Sequence, residues 1–167
     1  FGYLRSPSSI RCLQIYKYLV SALKKSGDQT EFVQICKEFL DTRPMEVASS
    51  NLLLIWASHQ FQRKQFELLI SQCKRWQDLH ENPTFADGLR YWCGMGAMQT
   101  RKYKEAINSF DQLLTQYPSS RYAEDGLLRK GAAQYYSQDL DAARETLLQF
   151  VEKYPNSNSL DQGYFFL

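Results

Sequence analysis

The side chains with the widest chemical repertoire are few: two histidines, His59 and His80, and four cysteines, Cys12, Cys36, Cys73 and Cys93. The histidines are too far apart in sequence to share a helical turn, and no Cys-x-x-Cys pair occurs, so no local metal motif forms. Gly94-Met95-Gly96 holds two glycines of a phosphate-binding loop but lacks the third, and no strand pattern precedes it. These glycines read as points of close helix packing. A Cys93–His59 nucleophile–base pair is permitted by spacing alone. Cys93, however, falls on an apolar helical stripe beside Gly94, and His59 reads as a partly exposed helical residue. No catalytic residue, metal ligand or cofactor site is therefore expected, and the chain is not read as an enzyme.

What must position any site is a mainly helical chain. The sequence has 167 residues, 44% hydrophobic and 23% charged, ordinary values for one globular domain. Eleven Tyr, ten Phe and three Trp stand against eight Gly and five Pro, which argues against a turn-rich β architecture. Twenty basic and eighteen acidic residues leave a net charge of +2, too small to imply nucleic acid. No apolar run is long enough to cross a membrane. The chain starts at Phe1 without a charged, apolar leader and stops on Tyr164-Phe165-Phe166-Leu167 without a helix cap. It reads as a piece of a longer protein.

Steps of 37 residues join Phe32, Leu69, Ala106 and Ala143. The same step joins Cys36, Cys73, Phe110 and Leu147, and then Phe39, Trp76, Leu113 and Phe150. Smaller residues recur earlier in the unit, at Val20, Ala57, Gly94 and Gly131. Pro44, Pro118 and Pro155 close three units, with Pro83 two residues late. Such self-similarity is the mark of a stacked repeat, which no single unit could stabilise alone. Within the third unit Tyr103, Ala106, Ile107, Phe110, Leu113 and Leu114 lie on one helical face. Each unit thus predicts two helices, over about 9–26 and 29–42, 46–63 and 65–80, 85–100 and 103–117, and 121–137 and 140–154. A ninth helix is expected near 159. Asp28 to Glu31 and Thr84 to Asp87 have the spacing of a capping box. Gly94 is expected to face Ala106, and Gly131 to face Ala143.

The equivalent cysteines Cys36 and Cys73 should lie on the order of 10 Å or more apart, given helix spacings of that size. A disulfide needs Cα atoms within about 7 Å. They are therefore read as buried free thiols, which favours a reducing compartment such as the cytoplasm.

Gly94, Tyr103, Ala106, Phe110 and Pro118, repeated in Gly131, Ala143 and Pro155, resemble the signature of the tetratricopeptide repeat (TPR) family. The usual period of that family is 34 residues. The endings Gln116-Tyr117-Pro118-Ser119-Ser120 and Lys153-Tyr154-Pro155-Asn156-Ser157 are similar to a variant seen in bacterial envelope TPR proteins. The resemblance implies a right-handed all-α solenoid of antiparallel helix pairs, with repeats at 13–49, 50–86, 87–123 and 124–160 and a truncated fifth at 161–167. It implies a periplasmic or envelope location, against the reading from free cysteines. It also implies that the first helix of each unit lines a binding face.

In that frame Leu54, Phe61, Tyr91, Met95, Met98, Leu128 and Tyr135 form an apolar, aromatic groove suited to a peptide or an amphipathic helix. Lys17 matches one lysine of the family's carboxylate clamp. Ser21, Ser58 and Gly88 occupy other clamp positions, so that mode is not expected. The pairs Lys24-Lys25, Arg63-Lys64 and Arg101-Lys102 at the helix–helix turns read as cations that offset helix dipoles rather than as a binding stripe. The function expected is non-catalytic capture of a protein or peptide. The alternatives are a regulatory or targeting segment of a larger enzyme, and a self-association module using Leu160, Tyr164, Phe165 and Phe166.

Overall fold

The computed structural model describes residues 29–167. The helix expected over 9–26, with Cys12, Lys17, Val20, Ser21 and Lys24-Lys25, lies outside them. Among the described residues there are eight helices and no strand: α1 (Gln29–Thr42), α2 (Val47–Gln62), α3 (Phe66–Leu79), α4 (Ala86–Gln99), α5 (Tyr103–Gln116), α6 (Ala123–Tyr136), α7 (Leu140–Lys153) and α8 (Leu160–Phe166). Every boundary falls within two residues of the span read from periodicity. The fold is an all-α helical repeat.

The chain divides into two compact units. The first runs to His59 and includes Pro83–Phe85. Within it Cys36, Phe39, Leu40, Leu52, Leu53 and Trp56 are buried. Its α1–α2 turn is held by hydroxyls. Ser49 Oγ donates to the Arg43 carbonyl at 2.6 Å, and Thr84 Oγ1 donates to the Glu46 carbonyl at 2.8 Å. Ser50 Oγ in turn donates to the Thr84 carbonyl at 2.7 Å.

The second unit comprises Gln60–Asn82 and Ala86–Leu167. Here consecutive helices pack in order from α3 to α8, and α6 also meets α8. The packing depends on absent side chains. A Cβ on Gly94 would lie 2.7 Å from the Phe110 ring, and one on Gly131 would lie 2.7 Å from Leu147. Phe110 and Leu147 are one helical turn beyond Ala106 and Ala143, the residues expected to face these glycines. The correction has a simple cause. A large side chain can fill the hollow over a glycine, whereas two small residues facing each other would leave a void. Ala106 and Ala143 are fully buried one turn away.

The turns inside each pair repeat with equal regularity. Lys64, Arg101 and Gln138 adopt positive φ of 57°, 59° and 67°. Arg101 N–H donates to Met98 and Lys102 N–H to Ala97, which is the double bond of a Schellman cap. The same pattern joins Lys64 and Gln65 to Phe61 and Gln60, and Gln138 and Asp139 to Tyr135 and Gln134. The next helix begins two residues after each left-handed position. The basic pairs at 63–64 and 101–102 are thus turn residues, with a cation at the negative end of a helix.

Between pairs, proline ends the helix and a serine restarts the chain. Tyr117 precedes Pro118 and leaves helical geometry with ψ 58°, as a residue before proline tends to. Ser120 Oγ accepts from Tyr122 N–H at 3.1 Å and donates to Asp87 Oδ2 at 2.6 Å, 33 residues back. Ser157 repeats the arrangement with Ser159 N–H and with Glu124 Oε1.

Two outcomes follow. Gly94→Leu should lower stability by about 1–3 kcal/mol through overpacking against Phe110. An unchanged denaturation midpoint would disprove this register. Arg101→Gly should raise stability by about 1 kcal/mol, because glycine adopts the left-handed conformation without steric cost. A drop in the midpoint would mean the Arg101 side chain stabilises more than its backbone strain costs.

Candidate functional site

On the first helix of the third pair, Tyr91, Met95 and Met98 lie at i, i+4 and i+7, and all three are half-buried. Tyr91 is the best anchored. Its ring stacks on Tyr122 with centroids 4.6 Å apart and planes 18° from parallel. Its hydroxyl donates to Asp125 Oδ2 at 2.6 Å. Asp125 also pairs with Arg129, one turn along α6. Tyr91 therefore ties α4 to α6 while remaining half-buried. Burial, and then the Asp125 carboxylate, push its phenol well above the usual range.

The other expected groove residues divide. Phe61 is half-buried and meets Phe66 edge-on at 5.2 Å and Trp92 at 6.0 Å. Tyr135 is 39% exposed and touches Tyr136 and Phe166. Leu54 is half-buried in the first unit. Leu128 is 1% exposed and belongs to a core cluster with Leu127, Ala143, Leu147 and Phe150. Leu160 and Phe166 pack onto that cluster, so Leu128 is a core side chain and offers no surface to a partner.

An aromatic run extends from this face beyond the residues expected. Tyr103 stacks on Tyr136 with centroids 5.7 Å apart, and Tyr136 meets Phe166 edge-on. Tyr164 and Phe165 are exposed at 59% and 78%. The signal that could have revealed the stacking is a separation of 33 or 34 residues. It links Asp87 to Ser120, Tyr91 to Asp125 and Glu124 to Ser157, and the same step joins Tyr103 to Tyr136.

Charge across the turns is largely matched. Lys102 Nζ bonds both oxygens of Glu67 at 2.9 Å. Lys74 bonds Glu105 at 2.8 Å, which holds the Glu105 carboxyl below its ordinary value. Both pairs are exposed and stabilise weakly.

Of the groups first considered for chemistry, Cys36, Cys73 and Cys93 are buried free thiols. Burial pushes the Cys36 thiol up to about 12 and raises Cys73 and Cys93 as well. A nucleophilic cysteine requires the opposite shift. Among the described residues no group of three or more His, Cys, Asp and Glu is placed to hold a metal ion.

Helix pairs with these glycines, caps and prolines define a TPR-type helical repeat. Residues 87–167 match the family model described as "YfiO: Outer membrane lipoprotein". Over 92 residues the chain is 29% identical to outer membrane protein assembly factor BamD of Pasteurella multocida (strain Pm70), covering 55% of this chain and 34% of that protein. It thus spans about a third of the length of that relative. Among solved structures, the MamA RS-1 ArsTM double mutant aligns with a TM-score of 0.65 at 11% identity, covering 92% of this chain and 89% of that one. That likeness establishes the helical-repeat fold.

Tyr91→Phe should cost about 1 kcal/mol at neutral pH, a modest value for a half-exposed bond to a carboxylate. The folded-state phenol lies above its unfolded value of about 10. Its contribution is therefore complete below pH 10 and is lost as pH rises toward the folded value. Denaturation followed against pH should show a shallower alkaline decline for Tyr91→Phe than for wild type. Parallel curves would show that Tyr91 does not carry this linkage.

Proposed function

We propose that the chain is a non-catalytic interaction scaffold that holds a peptide or helix of a partner protein on the α4 side of its second unit. The observation that carries the reading is the half-exposed row Tyr91, Met95 and Met98. In the next pair the equivalents of Tyr91 and Met95 are Leu128 and Ala132, both fully buried. A repeat built only for packing would keep similar residues at these positions. Methionine adapts to irregular apolar surfaces, and tyrosine adds area with a polar tip. Phe61 and Tyr135 extend the same apolar chemistry in the second unit. Leu54, in the first unit, remains a candidate there.

The family match and the named relative support a place in the cell envelope, in an assembly of outer-membrane proteins. No helix among the described residues is long and apolar enough to cross a membrane. The repeat frame of 50–86, 87–123 and 124–160 is proposed with this reading, since the stitches from Asp87 to Ser120 and from Glu124 to Ser157 recur within it.

Met98→Glu places a charge on the row without touching the glycine contacts. Affinity capture from envelope extract, with wild type and the variant both checked for folding, should lose a partner in the variant. A tenfold loss corresponds to about 1.4 kcal/mol, within the range of a single interface anchor. Identical partners on both proteins would remove this face from consideration.

A further inference from the structure

Two of the three described cysteines face each other across the boundary between neighbouring helix pairs. Helices α3 and α4 run antiparallel, so a step forward along one matches a step back along the other. Two contacts fix that register. A Cβ on Gly96 would lie 2.8 Å from Ile70 Cγ1 and 3.4 Å from the Phe66 carbonyl oxygen, so the two backbones are close at this end. Toward the other end the Arg90 guanidinium donates to Gln77 Oε1 at 2.6 Å. Cys73 lies three residues on from Ile70, and Cys93 lies three residues back from Gly96, each on the same helical face as its reference. The register therefore sets Cys73 opposite Cys93, between the two fixed contacts. The two side chains are 0% and 3% exposed. Burial raises the Cys73 thiol and negative charge on Cys93 raises it further, as expected of sulfurs that share one site.

The pairing is not a by-product of the repeat. One period on, the same positions hold Phe110 and Lys130, and Lys130 bonds Asp111 at 2.7 Å. One period back they hold Cys36 and Trp56. The frame accepts large side chains here, and among the described residues no equivalent pair of positions holds two cysteines.

We propose that Cys73 and Cys93 are a disulfide site, reduced in this structure and closed by exchange with an external disulfide such as oxidised glutathione. One protein thiolate attacks a sulfur of the external disulfide and expels its first thiol. The other protein thiolate then attacks the protein sulfur of the mixed disulfide and expels the second. The two protein thiols lose two electrons and two protons, and the external disulfide takes them up as two thiols. Cys93 is the first attacker, because the Ser109 hydroxyl and the Lys74 ammonium oppose the upward shift that burial imposes on it. Exchange at buried sulfurs takes place as α3 opens from α4, or before the two dock. The bond closes a loop of about 20 residues and fixes α4, with Tyr91, Met95 and Met98, to the preceding pair. It goes beyond the proposed function and does not depend on it. An oxidising envelope would close the bond, and a reducing compartment would hold it open.

The full chain is incubated with oxidised and reduced glutathione under native conditions, quenched with N-ethylmaleimide in denaturant, and digested with trypsin without reduction. The expected product is peptide 65–74 joined to peptide 91–101, separated again by reductant. The oxidised protein should melt about 5 °C or more above the reduced one, since the cross-link restricts the unfolded chain. Cys12→Ala/Cys36→Ala should keep both the joined peptide and the shift, and Cys93→Ala should lose both. The peptide map of the wild type stands on its own if Cys93→Ala does not fold. The proposal is overturned if Cys73 and Cys93 are both recovered as maleimide adducts from the oxidised protein, or if either is joined to Cys12 or Cys36 instead. It is also overturned if the joined protein melts no higher than the reduced one, which would mean that the native register does not accommodate the bond.

Discussion

The second unit depends on how closely two helices of a pair can approach. Gly94 lets the Phe110 ring sit against the α4 backbone, and Gly131 does the same for Leu147 on α6. With this distance set, the remaining dimensions follow. The Schellman turn must reverse the chain within a few residues, so position 101 or 138 takes the left-handed conformation even where glycine is absent. The proline must then stop the second helix at a constant length, or the next first helix would miss its glycine. Each pair constrains its neighbour through the same geometry, so one oversized side chain at a glycine would disturb two interfaces at once.

Neighbouring pairs are joined by a second, different device. Ser120 and Ser157 each accept a backbone N–H and give their proton to a carboxylate of the preceding pair. Tyr91 and Asp125 make a comparable link with an aromatic stack added. These short polar bonds sit beside buried apolar surface, which supplies most of the association between pairs. The exposed pairs Lys74–Glu105 and Lys102–Glu67 cross the same boundaries but are screened by water and add little. They account for part of the basic character of the turns without requiring an acidic partner there.

The helices were legible because their packing faces repeat. Phe110, Leu113 and Ala106 have apolar counterparts at every step of the period, and such residues report directly on burial. The identity of the residue facing each glycine was not legible, because periodicity fixes the face of a helix and not its height along the axis. Ala106 and Phe110 lie on one face, and only three-dimensional packing separates them. Leu128 was misassigned for a related reason. A leucine one residue from the core series can turn either way, and here it joins the core cluster on which Leu160 and Phe166 pack. The stacks of Tyr91 on Tyr122 and of Tyr103 on Tyr136 were missed because they span pairs at 31 and 33 residues, steps shorter than the period itself.

Divergence between equivalent positions is the more informative guide to function. Where packing rules, neighbouring pairs agree in kind: Ala106 with Ala143, Leu113 with Phe150, Gly94 with Gly131. Where they disagree, packing has not dictated the choice. Tyr91 stands opposite Leu128 in this sense, and Met95 opposite Ala132. The hydrogen-bonded Gln77 and Arg90 stand opposite the apolar Leu114 and Leu127. The first disagreement lies on a half-exposed face, along the first helix α4, and the second lies in the core between α5, α6 and α7. Random drift on a solvated surface would favour polar exchanges of little consequence. Leu127 is buried and Leu114 half-buried, so exchanging a bonded polar pair for leucines extends the core beneath α5 and α7. A fold whose stability is settled by its glycines and caps can leave the half-exposed row along α4 free to differ from its buried counterparts on α6.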